Sequence, residues 1–148
     1  MGRFSAQLVL VLATIFGCLQ IPMVFGETLD EKIERTTEIC VNQTGISEEQ
    51  TDLLMDDEFE HFDEEHFTHD MRCYMHCFHK NFGIIDKDGN PIEKEFVSFM
   101  EVRFSQKKDK VMAAMEKCRK IVDPDPCEHV FKFEICMAHT IELDKWHI

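Results

Sequence analysis

Sulfur supplies most of the chemistry available to this chain. Six cysteines, Cys40, Cys73, Cys77, Cys118, Cys127 and Cys136, are separated by 32, 3, 40, 8 and 8 residues. They follow an export signal, so they meet an oxidising compartment and are expected to pair as three disulfides. A seventh, Cys18, lies inside that signal and leaves with it. Six cysteines allow fifteen pairings. Cys73 and Cys77 sit one helical turn apart with near-parallel Cα–Cβ directions, which does not suit a bridge. Cys127 and Cys136 lie about 13 Å apart along one helix and cannot meet. Ten pairings survive these two exclusions. The one-turn spacing also means that two different partners are tied to the same edge of one helix.

Other reactive constellations are incomplete. Asp86-Lys87-Asp88-Gly89-Asn90 opens like an EF-hand calcium loop. Pro91 then stands where that loop needs glycine, and Val97 where it needs a bidentate Glu, so a turn is expected. His61, His66 and His69, with Asp63, Glu64, Glu65 and Asp70, form an acidic, His-rich stretch. It has no HExxH and no full four-ligand set, so it reads as solvated helix face and no metal is assigned. There is no GxSxG motif and no free thiol in the exported chain. Catalytic residues are therefore not expected, nor is a cofactor. Asn42-Gln43-Thr44 is a glycosylation sequon beside Cys40.

The elements that must position these groups are legible. Arg3, the apolar run Leu8 to Leu19 and Val24-Phe25-Gly26 before Glu27 compose a cleavable signal over residues 1–26. The run is shorter than the roughly 20 residues of a membrane span, and Gln20 and Pro22 interrupt it, so no membrane insertion is expected. Residues 27–148 then form one domain. Without Arg3 that domain has 15 basic and 29 acidic residues, a net charge of −14. Such a surface repels phosphate backbones and anionic lipid, which argues against nucleic acid as a partner. Helical spacing predicts helices over Asp30 to Val41, from the capping box at Ser47 through about Met55, and from about Glu64 to Phe82. Three more follow: one after Asn90-Pro91-Ile92-Glu93, one from about Gln106 to Val122, and one from Asp125-Pro126 through about Leu143. Residues 56 to 65 are a polar connection. The expectation is a single all-α domain of about six helices.

The signal, the helical chain of this length, Cys73-x3-Cys77 in the third helix and Cys127-x8-Cys136 in the last together resemble the six-cysteine insect odorant-binding proteins, the family that includes pheromone-binding proteins. The resemblance covers residues 27 to 148. It implies the interlocked pairing Cys40–Cys77, Cys73–Cys127 and Cys118–Cys136, and a helical shell around an apolar cavity that carries small volatile or lipid-like ligands. The tail after Cys136 is only 12 residues. It departs from the long-tailed pheromone-binding members, whose carboxyl-terminal segment forms an extra helix inside the cavity at acid pH.

Projected at 100° per residue from Cys73, Tyr74, Phe67, Phe78, Met71, Phe82 and Met75 fall between about 100° and 200°, with His79 beside them. A face rich in Phe and Met suits a pocket that accepts varied shapes. The expected lining is Met75, His79, Phe82 and Ile84, then Ile92, Phe96, Phe99 and Met100 from the fourth helix, Met115 from the fifth, and Val130 and Met137 from the sixth. Trp146 is the expected lid, and His79 the polar contact to a ligand hydroxyl or carbonyl. All eight histidines lie in the exported chain. They charge near pH ~6.5, so ligand affinity is expected to fall on acidification, through His79 or the clustered His66 and His69. The favoured function is a secreted, non-catalytic carrier of a small apolar ligand. The alternative is a secreted interaction or signalling protein on the same scaffold with a filled core. A chemosensory receptor or a second copy of the chain are the macromolecular partners considered.

Overall fold

Short reciprocal caps start the first two helices. The Thr28 hydroxyl accepts from the Glu31 amide at 3.2 Å while the Glu31 carboxylate accepts from the Thr28 amide at 2.8 Å. Ser47 and Gln50 repeat the arrangement at 3.2 and 3.0 Å. Each satisfies amides that a helix N-terminus would otherwise orphan. In the computed structural model, which describes residues 26–55 and 64–142, these caps open α1 (Leu29–Thr44) and α2 (Glu48–Met55). Next come α3 (His69–Phe82), α4 (Glu93–Arg103), α5 (Lys108–Cys118) and α6 (Pro126–Glu142). Among the described residues the only extended pairing is an isolated bridge between Ile85 and Pro91. The all-α expectation holds.

Two boundaries differ from the sequence reading. Spacing predicts a continuous third helix from about Glu64; instead Glu64–His66 is a 3-10 turn and α3 begins at His69. Thr68 is extended, at φ −64° and ψ 162°, and its hydroxyl accepts from the Met71 amide. A capping threonine starts a new helix there, while Phe67 turns into the core at 2% exposure. The fifth helix, expected from about Gln106 to Val122, runs only from Lys108 to Cys118 behind a 3-10 turn at Ser105–Lys107. Its end tightens as the Arg119 and Ile121 amides donate to Met115 and Cys118 carbonyls at 3.0 Å each. Asp123-Pro124 then prevents continuation. Asp125 caps α6, its carboxylate accepting from the Cys127 amide at 2.8 Å, with Pro126 in the first turn.

The core is centred on α6, which is buried nearly all round, as its apolar sequence predicts. It packs on α3 and α5, while α1 lies on another side of α3. Phe131 meets Phe67 at 5.3 Å and Phe133 meets Phe96 at 5.2 Å between ring centroids. Arg72 of α3 lies over Phe131, and its Nη1 donates to both carboxylate oxygens of Glu128 of α6 at 2.8 and 2.7 Å. The disulfides are Cys40–Cys77, Cys73–Cys127 and Cys118–Cys136, the pairing implied by the resemblance. They join α1 to α3, α3 to α6 and α5 to α6. Closing sequence separations of 37, 54 and 18 residues, each contributes about 3–4 kcal/mol by loop-closure entropy.

Candidate functional site

The broad apolar face of α3 does not meet another helix along its whole length. Where it stands clear, a cavity of about 590 Å³ opens. Tyr74, Met75, Phe78, His79 and Phe82 of α3 form one wall, continued by Gly83 and Ile84. Opposite them stand Leu29, Lys32 and Ile33 of α1, and Leu54 and Met55 of α2. Glu95, Ser98, Phe99, Val102 and Arg103 of α4 close another side, and Glu134 reaches in from α6. Phe78 stacks on Phe82 at 5.4 Å, and Phe82 meets Phe99 edge-on at 5.3 Å. Lys32 lies 4.2 Å above the Phe82 ring, a cation–π contact. The rim is apolar too: Leu29, Met55 and Val102 are 51%, 45% and 65% exposed.

One part of this apolar wall is polar. Glu134 is 1% exposed, and one carboxylate oxygen pairs with the Arg103 guanidinium. The other oxygen, Oε2, has no hydrogen-bond donor. His79, also buried, brings Nε2 to 3.4 Å from Oε2, while its Nδ1 has no partner. Burial pushes the imidazole below the ordinary histidine range; Glu134 pulls the other way, and Arg103 and His76 reinforce the depression. His79 is therefore neutral at neutral pH, and its approach to Glu134 is not an ion pair.

The expected lining divides three ways. Met75, His79, Phe82, Ile84 and Phe99 stand on the cavity wall. Phe96, Met100, Met115, Val130 and Met137 fill the core beside it, each no more than 3% exposed. None of the five is among the residues lining the cavity. Ile92 is 42% exposed as the residue preceding α4, turned away from the interior. Trp146 lies outside the described residues. The sequence reading missed Arg103 and Glu134 and the contributions of α1 and α2. Glu134 did carry a signal: an acid amid Val130, Phe131, Phe133, Ile135 and Met137 on a helix buried all round must have a partner.

Other candidate sites do not assemble. Asp86 Oδ1 accepts from the Asp88 and Asn90 amides at 2.8 and 2.9 Å, so the calcium-like segment is a turn closed by its own carboxylate. The ligand atoms of His69, Cys73 and Cys127 lie within 4.8 Å of one another. Two of these are the joined sulfurs of a disulfide, so His69 alone could ligate. His66 and His69 are exposed on the outer surface, away from the cavity.

Among the described residues, six helices cross-linked by three interlocked bridges surround an open apolar cavity, the architecture of a helical small-molecule-binding scaffold. The family model of the pheromone- and general odorant-binding proteins, PBP/GOBP, matches residues 24–140, and the chain belongs to that family. Among solved structures it is similar to the fatty acid binding protein OBP56a from the oral disk of the blowfly Phormia regina. The two are 28% identical with a TM-score of 0.59, over 78% of this chain and 92% of that one. The odorant-binding protein OBP28a from Drosophila melanogaster shares the fold at 18% identity and a TM-score of 0.62, over 77% of this chain and 93% of the other. No curated protein sequence matches significantly.

Proposed function

We propose that this protein is a secreted carrier that encloses one small, largely apolar molecule in the cavity between α1, α3 and α4. The observation that carries this reading is the 590 Å³ hollow with aromatic and aliphatic walls. Its size suits a molecule of roughly 10–20 carbons, and burying apolar surface supplies about 25 cal/mol per Å² before ordering costs. Family membership supports a binding role, and the blowfly relative's name, a fatty acid binding protein, supports a chain-like guest. The hollow favours the carrier over a surface-acting signalling protein, for which the interior would be filled. Residues 1–26 act as the export signal, and the product works in sensillar lymph or another secretion. Among the described residues no helix is long and apolar enough to cross a membrane. Met75, His79, Phe82, Ile84 and Phe99 are the wall residues assigned to the guest.

The test is displacement of a fluorescent apolar reporter from the purified oxidised protein by alcohols, esters and fatty acids, with native mass spectrometry to detect a co-purified guest. Displacement at micromolar concentration is expected. A protein that neither takes up the reporter nor carries a guest is not a carrier.

A further inference from the structure

We infer that the polar part of the cavity, built from Glu134, His79 and Arg103, selects a guest with a neutral hydrogen-bond donor, an alcohol, and discriminates against a carboxylate of the same chain length. The inference rests on the carrier reading and deepens it. Glu134 lines the cavity at 1% exposure with Oε1 committed to Arg103 and Oε2 without a donor. A buried carboxylate oxygen without a donor is unfavourable, and a guest that supplies one removes that penalty.

His79 sharpens the selection. Its Nε2 faces Oε2 at 3.4 Å, outside hydrogen-bond geometry but close enough for a bare ring nitrogen to be repelled by the oxygen lone pairs. The proton of the neutral ring therefore belongs on Nε2, which leaves the unpartnered Nδ1 as an acceptor. Both unsatisfied atoms of this cluster, Glu134 Oε2 and His79 Nδ1, thus accept and neither donates. A hydroxyl can donate to one of them; an ester cannot; a carboxylate adds a second anion beside Glu134. Arg103 does not offset that second anion, because its charge is already matched by Glu134. The other cation on the wall, Lys32, is engaged over the Phe82 ring.

Dodecanol, methyl dodecanoate and dodecanoate, competed against the same reporter in mildly alkaline buffer where dodecanoate is ionised, separate the cases. Dodecanol is expected to bind about tenfold more tightly than either of the others, the worth of one hydrogen bond to a charged group. Glu134→Gln, which removes the carboxylate charge that repels a second anion here, is expected to strengthen dodecanoate and weaken dodecanol, reversing the order. Arg103→Met combined with Glu134→Met removes the pair together and is expected to shrink the preference for dodecanol over methyl dodecanoate to what His79 Nδ1 supplies, while dodecanoate stays weak because nothing pairs its charge. Dodecanoate binding the wild type as tightly as dodecanol overturns this inference and leaves the carrier intact, with no need for any variant to fold. Failure of all three to displace a bound reporter overturns both.

Discussion

His79 couples the cavity to pH through its burial. Burial, and then Arg103 and His76, hold it below the ordinary histidine range against the pull of Glu134, and burial shifts His76 the same way. In the unfolded chain each takes up a proton below about pH 6.5. The unfolded state then binds more protons than the folded one, so these residues lower stability as pH falls through the ordinary histidine range. His69 has the opposite sign. Its hydrogen bond to Asp125 raises its pKa, so its contribution is complete at acid pH and is lost as pH rises through the folded-state value. Being exposed, it contributes little. Thermal melts of the wild type and His79→Phe at about pH 7.5 and about pH 5 isolate the buried group from the many surface carboxylates. The variant is expected to lose less Tm on acidification, and equal losses would remove His79 from the account. Affinity follows the same proton. Of the histidines expected to weaken binding in acid, His79 lines the cavity while His66 and His69 do not. Protonation puts a charge that demands water where the guest must sit. Reporter affinity is therefore expected to fall in the wild type as pH drops below the ordinary histidine range, and to stay level in His79→Phe.

At the scale of elements, α3 with Gly83 and Ile84 just after it carries the largest share of the wall, and two bridges fix the edge of the helix. Cys40–Cys77 ties it to α1 and Cys73–Cys127 to α6, whereas Cys118–Cys136 joins α5 to α6 beyond the cavity. Replacing the pair Cys73 and Cys127 by serine is expected to remove about 4 kcal/mol, and the pair Cys118 and Cys136 about 3 kcal/mol. Reporter affinity should fall much further in the first variant, because it frees a cavity wall. Equal loss in both would show that the bridges act only through overall stability. The end of α3 is equally specific: Gly83 closes it at φ +84°, with its amide donating to the His79 carbonyl at 3.0 Å. No neighbour lies near a Cβ added there. Gly83→Ala is therefore expected to cost about 1–2 kcal/mol of backbone strain alone, read as a lowered melting midpoint. These caps, glycines and bridge edges are local, and the sequence shows them. So is the apolar face of α3, which is why Met75, His79, Phe82 and neighbouring Ile84 stand on the wall. Which residues of α1, α2 and α4 face it depends on how the helices cross. Spacing along one helix does not encode that, so Met115 and Met137 have the right chemistry yet are buried off the cavity wall.

For the molecule as a whole, the hollow of about 590 Å³ is space in which side chains make no packing contacts, so the helices around it need support from elsewhere. The three bridges together contribute about 11 kcal/mol. A domain's entire net stability is only about 5–15 kcal/mol. The bridges are thus as large as the net stability itself, and they supplement packing in holding the helices around the hollow. Two consequences are measurable on one sample. Dodecanol at about 100 times its dissociation constant is expected to add about 2.7 kcal/mol to the oxidised protein, seen as a rise in melting midpoint. A thiol reductant is expected to abolish reporter binding together with the cooperative melt, because an acidic chain with 29 carboxylate side chains against 16 basic ones has self-repulsion to add to the loss of the bridges. A reduced protein that still melts cooperatively and still binds the reporter with unchanged affinity would mean that helix packing alone keeps the cavity open.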